Sequence, residues 1–267
     1  MIKNNNVVAI IPARANSAGC PGKNYRDIAG KPLFIWSVEA ALQSNYIDTI
    51  VISTNDSKIE EIINEYKKNK DINKNIVVIR RPESLSAPDS KTEFAMIHAL
   101  CYLNKNLKMA FDIVCLLQPT SPARRNNLID KCLEKMVFEQ FDSILTVVEK
   151  TPFFWNIRKY PSIHSEVFYP LNKFKIENIK SNERYVAYPS YSLQNRPMRQ
   201  NIDLTEMTYH DNGNFYACYS NVITNIYQRV GSSPALFVTD FFESLQIDTE
   251  DDFLIMQKMY ELYGRFV

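Results

Sequence analysis

Over residues 7–148, short apolar, β-branched runs alternate with helix-period segments, and no other feature restricts the possible folds as much. The runs are "VVAII" (7–11), "TIVIS" (49–53), "IVVI" (76–79), "DIVCLL" (112–117) and "SILTVV" (143–148). Between them the spacing predicts helices at about 32–44, 56–68, 91–104 and 127–139; Ile59, Ile62, Ile63 and Tyr66, for example, recur on one face. Runs this apolar lack a polar face, so they belong in a sheet covered on both sides. Strand–helix–strand alternation then means βαβ units and a mainly parallel sheet. Right-handed crossovers in such a sheet place ligands at the carboxyl ends of the strands. The segments just after each strand are therefore where function is to be sought.

The alternation stops near Lys150. Residues 151–195 are rich in aromatics, Pro, Asn and Lys and are expected to form strands and loops projecting from the main sheet, with the aromatics either presented as an association surface or tucked underneath. Afterwards come a strand-like "GNFYACYS" (213–220), a short helix, "ALFV" (235–238) and a final helix at 249–263. A chain of 267 residues and 31.0 kDa suits one large α/β domain, or one domain with a small appendage. Its 31 basic and 30 acidic residues give a net charge of +1, so bulk charge offers no argument for nucleic acid or an anionic membrane. The five cysteines (20, 101, 115, 132 and 218) are odd in number and form no C-x-x-C, against a disulfide framework or zinc knuckle. Cys20, in the opening loop, is either a reactive thiol or a tolerated one. Met1 runs through "KNNN" straight into a strand without a signal-peptide core, and no 18-residue apolar run occurs, so the expectation is a soluble cytoplasmic protein.

The first post-strand loop, within "IIPARANSAGCPGKN" (10–24), holds Arg14 and Lys23 but no carboxylate. Gly19 and Gly22 permit tight turns and close approach of backbone N–H groups. Arg14 can fork onto phosphate oxygens, with Lys23 as a point charge. The loop matches neither G-x-x-x-x-G-K-[ST] nor G-x-G-x-x-G. After the third strand, "RRPESLSAPDSKTEF" (80–94) brings Arg80, Arg81 and Thr92, with Asp89 or Ser90 as N-cap of the next helix. After the fourth, Gln118 in "QPTSPARR" (118–125) projects from a buried strand toward the ligand crevice. In "SLQIDTEDDF" (244–253), Asp248 is either a helix cap, together with or in place of Thr249, or a Mg²⁺ ligand.

Taken together, these stretches resemble the acylneuraminate cytidylyltransferase family, the CMP-sialic acid synthetases and their relatives acting on other nonulosonic acids. The matching segments are "IIPARANSAGCPGKN", "AGKPLFIWSVEAAL", "IVISTND", "RRPESLSAPDS", "LLQPTSPARR", "NGNFY" and "IDTEDDF", in family order across nearly the whole chain. The resemblance implies a three-layer, Rossmann-like nucleotide-diphospho-sugar transferase fold with a mainly parallel sheet, one domain over 1–267, and an inserted dimerisation arm at 151–195. It implies that CTP and a nine-carbon 2-keto sugar acid give a CMP-sugar and pyrophosphate, with Mg²⁺ required. The runner-up is another sugar nucleotidyltransferase, such as one for 3-deoxy-manno-octulosonate; a catalytically inactive nucleotide-sugar binding protein is the reading from another class.

Carried over residue by residue, the family's triphosphate-binding Arg and Lys fall on Arg14 and Lys23, beside Asn24. The cytosine and ribose contacts fall near Arg81 and Thr92. The sugar-contacting Gln falls on Gln118, and an Arg-Gln pair on Arg199 and Gln200, with Arg196 as the alternative register. Asn212, Gly213 and Tyr216 match the sugar-pocket motif, and Asp248 a metal-binding Asp. Arg14, Lys23 and Asp248 are thus the expected catalytic set. Two departures stand out. Ala18 occupies a position where members often carry Lys, and Gln246 one where many carry an acid, leaving Gln246, Asp211 or Glu250 as further metal-ligand candidates.

Overall fold

The structure, a computed structural model, describes residues 1–15, 19–159 and 185–263. Ala18 lies outside them. In chain order the elements are β1 (Val7–Pro12), β2 (Asp27–Ile28), β3 (Lys31–Pro32), α1 (Leu33–Gln43), β4 (Thr49–Thr54), α2 (Ser57–Asn69), β5 (Asn75–Arg80), α3 (Thr92–Leu107), β6 (Ile113–Leu116), α4 (Leu128–Phe138), β7 (Ser143–Lys150), β8 (Trp155–Lys159), β9 (Tyr185–Pro189), β10 (Thr208–Tyr219), α5 (Ser220–Ile226), β11 (Pro234–Thr239) and α6 (Glu250–Tyr263). They divide into a larger unit, Met1–Val148 with His210–Val267, and a smaller one, Glu149–Tyr209.

The larger unit is built on a seven-stranded sheet in the order β11-β7-β10-β6-β1-β4-β5. β1 pairs parallel with β4 and β6, β4 with β5, and β7 with β11, whereas β10 runs antiparallel to β6. The alternating pleat of β1 divides the core. Val7, Ala9 and Ile11 pack with α1, α2 and α4 on one face, while Val8 and Ile10 pack with Met96, Ala99 and Leu103 of α3 and Ile223 of α5 on the other. Helices on both faces of a mainly parallel sheet make this a three-layer, Rossmann-like architecture, as the unbroken apolar runs require.

α1 is buried almost all round because it serves two partners. Phe34, Ile35, Val38 and Ala41 face the sheet; Leu33 and Trp36 meet Phe253, Met256 and Tyr260 of α6. The Trp36 and Tyr260 rings are 4.7 Å apart, and Trp36 Nε1 donates to the Ile28 carbonyl at 3.0 Å. Cys20 lies in this same cluster, fully buried, and burial pushes its thiol pKa up. The reactive-thiol alternative for Cys20 is therefore set aside. No helix among the described residues is long and apolar enough to cross a membrane.

Strand order reverses between β6 and β1, so the crevice at a topological switch point opens past the carboxyl ends of those strands. The antiparallel run of β10 brings its Gly213 end to the same edge, because Tyr216 pairs with Leu116.

In the smaller unit, β8 and β9 form an antiparallel pair from Trp155↔Pro189 to Lys159↔Tyr185. Phe153 and Tyr191 meet edge to face at 5.2 Å, with the Arg196 guanidinium 4.6 Å and 5.3 Å from their ring centres. Arg196 is thereby committed to stacking, which favours the Arg199 register. Arg199–Asn201 form an exposed 3-10 turn, with Gln200 at its centre. Among the aromatics, Phe153 and Tyr191 are half-buried and Phe154 and Trp155 exposed.

Candidate active site

A cavity of about 420 Å³ opens at the carboxyl ends of β1, β5 and β6 and at the start of α3. It gathers Arg14, Lys23, Asn24, Arg81, Thr92, Gln118, Gln246 and Asp248, eight positions that the sequence spreads over 235 residues. A larger groove of about 860 Å³ runs between α1 and α2, but its half-buried carboxylate, Glu39, is already held by Lys31, Lys70 and Tyr66.

Gly22, at φ 64°, turns the opening loop into a 3-10 turn over Lys23–Tyr25 and so buries Lys23 and Asn24. Asn24 Nδ2 donates to the Arg14 carbonyl at 2.9 Å and Asn55 accepts from the Ala15 N–H at 3.0 Å, which fixes the backbone on either side of Arg14. Among the described residues the Arg14 side chain has one light tether, Nη1 to the Ala87 carbonyl at 3.2 Å. Lys23 Nζ donates to the Ile247 carbonyl at 2.5 Å and lies 3.3 Å from Asp248 Oδ1.

Arg81 is 5 % exposed, yet among the described residues its side chain makes one hydrogen bond, Nε to Ser86 Oγ at 3.1 Å, and its buried Nη2 has no partner. Burial, then the charge of Arg14, lowers its pKa. A buried guanidinium with a free donor and another cation beside it calls for an anion or a carbonyl oxygen from a ligand. The N-cap of α3 is Lys91, with no side-chain cap bond, so neither Asp89 nor Ser90 caps it as expected. Ser90, Lys91 and Thr92 instead line the cavity, and Lys91 adds a cation that the sequence did not single out.

Gln118 follows β6 and is held from beneath by Arg124. This arginine, 1 % exposed, donates Nη2 to the Gln118 and Asn214 carbonyls at 2.9 and 2.8 Å, Nε to the Asn214 carbonyl at 3.1 Å, and Nη1 to Ser37 Oγ at 3.0 Å. All of these acceptors are neutral, and burial lowers its pKa to about 9. Arg124 thus joins the loop after β6 to the turn in β10, a role hidden in sequence behind its neighbour Arg125, which pairs with Asp240. Asn212 faces the core: its Oδ1 accepts from Thr146 Oγ1 and its Nδ2 donates to Thr239 Oγ1, both at 2.7 Å. The Tyr216 hydroxyl donates to Asp211 Oδ1 at 2.5 Å, with the Arg229 guanidinium 4.4 Å from its ring. These two residues shape the Gly213 turn (φ 67°), where absence of a side chain lets the carboxamides of Gln118 and Gln246 approach.

The cap question at α6 is resolved by Asp252. Its Oδ2 accepts from the Thr249 N–H and hydroxyl, both at 2.8 Å, while Thr249 Oγ1 accepts from the Asp252 N–H at 3.2 Å. Thr249 and Asp252 form the reciprocal cap, leaving the Asp248 carboxylate, 68 % exposed, directed to the cavity. Glu250 is tied to Arg26 at 2.7 Å and Asp211 to Tyr216 and the Gly213 N–H, so neither is a free metal ligand. Among the described residues no group of three His, Cys, Asp or Glu could hold a metal. One carboxylate beside cations fits a magnesium ion brought in with a polyphosphate, since Mg²⁺ commonly takes one or two protein carboxylates plus phosphate oxygens.

The chain is 29 % identical over 260 residues to the CMP-N,N'-diacetyllegionaminic acid synthase of Legionella pneumophila, covering 96 % of this chain and 97 % of that one. It is 29 % identical to the pseudaminic acid cytidylyltransferase of Campylobacter jejuni, covering 78 % and 76 %, and 27 % identical to the N-acylneuraminate cytidylyltransferase of Oncorhynchus mykiss, where it covers 97 % of this chain and spans about half, 51 %, of that one. In fold it is similar to a CMP:2-keto-3-deoxy-manno-octonic acid synthetase solved with CTP (TM-score 0.58, 15 % identity, 96 % and 99 % covered) and to a 4-diphosphocytidyl-2C-methyl-D-erythritol synthase from Anaerococcus prevotii (0.57, 11 %, 96 % and 99 %). The family description "Cytidylyltransferase" matches residues 8–190, which hold the first strand, the basic opening loop and the loops carrying Arg81 and Gln118, and on that match the chain belongs to the cytidylyltransferase family.

Proposed function

We propose that this protein condenses CTP with a nine-carbon 2-keto sugar acid of the sialic, legionaminic or pseudaminic type, forming the CMP-sugar and releasing pyrophosphate. The observation that carries this reading is the buried, half-satisfied Arg81 in one cavity with Arg14 and Lys23, in a chain whose near full-length relative is named for that kind of reaction. The anomeric C2 hydroxyl attacks the α-phosphorus, an oxygen–phosphorus bond forms, and the bond to the β-phosphate oxygen breaks. The hydroxyl proton passes to solvent, because no side chain of the cavity is an evident general base. Two anions must meet, so Arg14 and Lys23 neutralise the triphosphate, with Lys91 beside them and Asn24 bracing the loop. Arg81 and Thr92 receive the base and ribose, and Gln118 and the Gly213 turn the sugar. Asn212 and Tyr216 serve the sugar pocket by holding that turn. Asp248 would hold a Mg²⁺ ion, which supplies further neutralisation of the triphosphate when bound.

A cytoplasmic homodimer completes the proposal, joined through the arm at 151–195, whose exposed Phe154 and Trp155 support the idea. The mass in solution at micromolar concentration tests it; a strictly monomeric protein removes the dimer. For the reaction, pyrophosphate release is measured with CTP and each of the three sugar acids, with and without Mg²⁺. Mg²⁺-dependent release with at least one acid is expected. CTP binding without turnover of any would instead favour an inactive binding protein.

A further inference from the structure

Gly213 brings two uncharged groups together in the cavity that also holds Arg14 and Arg81. A Cβ at this position would stand 2.8 Å from Gln246 Nε2 and 3.0 Å from Gln118 Oε1, so both carboxamides reach the same small volume. Neither has a side-chain hydrogen bond among the described residues, and both are half-buried and line the cavity. Their backbones are fixed. Arg124 holds the Gln118 carbonyl, and Ile247, next to Gln246, donates its N–H to the Thr120 carbonyl at 2.8 Å. Beside its cations the cavity thus holds two uncharged carboxamides that meet at Gly213.

From this we infer that Gln246 is a specificity-determining residue which, paired with Gln118, binds a neutral donor–acceptor group of the second substrate, an acylamino or hydroxyl group, and is not a metal ligand. Whichever way each amide turns, the pair presents both donors and acceptors. A hydroxyl or secondary amide, which carries both, satisfies it; a phosphate, which only accepts, is better served by Arg14 and Lys23. Sites built to hydrogen-bond a substrate group discriminate strongly against analogues that lack it. The inference rests on the proposed sugar-acid reaction.

The test uses the full chain and its Gln246→Ala and Gln246→Glu variants. KM for CTP and for the sugar acid is read from pyrophosphate release, and CTP binding is titrated calorimetrically with and without Mg²⁺. Both variants are expected to raise the sugar-acid KM about tenfold or more, as loss of a ligand hydrogen bond does. The CTP KM should stay within about twofold, and the gain in CTP affinity on adding Mg²⁺ should be unchanged in Gln246→Ala. Loss of that gain in Gln246→Ala, or a larger gain in Gln246→Glu with an unaltered sugar KM, makes Gln246 a metal ligand and overturns the inference. Variants with unaltered values throughout overturn it as well. A wild-type protein that binds CTP but turns over none of the three sugar acids overturns this inference and the proposed reaction together, whereas a wild type that turns over, with Gln246 variants that behave like it, overturns this inference alone.

Discussion

Arg14→Ala is expected to lower turnover by roughly 10²–10³-fold, about 3–4 kcal/mol of transition-state stabilisation, while the protein stays folded. The expectation comes from how little else the side chain does. Its one side-chain hydrogen bond among the described residues, to the Ala87 carbonyl, is at 3.2 Å, and its charge disfavours that of the buried Arg81. Truncation therefore removes a cation from the cavity without opening the core, and relief of the Arg81 repulsion leaves stability level or slightly higher. Pyrophosphate release reports the first effect and a thermal melt the second. Turnover within about fivefold of wild type would take Arg14 out of the triphosphate site.

Arg124→Met is expected to act in the opposite sense, on the fold first. The substitution keeps apolar volume but strips donors from the Gln118 and Asn214 carbonyls and Ser37 Oγ, all inside the protein. A buried polar group left unpaired costs about 1–3 kcal/mol. The Gln118 carbonyl keeps the Ser121 N–H at 3.2 Å, so the loss falls mainly on Asn214. The sum is about 3 kcal/mol, which at roughly 2–4 °C per kcal/mol lowers the melting temperature by about 6–12 °C. Arg124→Lys keeps one charge but not the fork and should recover only part of this. A melt within about 2 °C of wild type for Arg124→Met would show that the carbonyls find other donors and that Arg124 holds nothing in place.

The parallel half of the sheet was legible because its central strands β1, β4 and β6 are buried and need no alternating pattern, so "VVAII" and "TIVIS" stand out from the 3.6-residue rhythm between them. What side chains do at chain reversals was less legible. "D-T-E-D" admits Asp248 or Thr249 as cap, and only the fold of Asp252 back onto Thr249 separates a structural acid from a free one. "D-S-K-T" offered two good caps, yet α3 starts later, on Lys91, because the preceding segment lines the cavity. Arg124 and Arg125 are chemically identical neighbours; which is buried is set by residues some 90 positions away, at Asn214, and no local pattern carries that information. The gathering of Arg14, Arg81, Gln118 and Asp248 was readable from the rule that ligands sit beyond the carboxyl ends of parallel strands. The placement of Gly213 beside them was not, since period-two alternation is silent about strand direction.

The contact between Lys23 and Asp248 makes anion and cation occupancy of the cavity interdependent. A phosphate drawn to Lys23 must share it with Asp248, and a cation drawn to Asp248 must displace Lys23, so either ion arriving alone breaks a favourable contact. Arriving together, they exchange one pairing for two. Each should therefore raise the affinity for the other by the same factor, as thermodynamic linkage demands. In Lys23→Met that mutual factor should shrink toward one in paired titrations of CTP and Mg²⁺, and a factor unchanged from wild type would show the ion pair to be a bystander. Where the factor does shrink, the ion pair acts as a gate on composition: it favours the nucleotide with its counterion over either one alone.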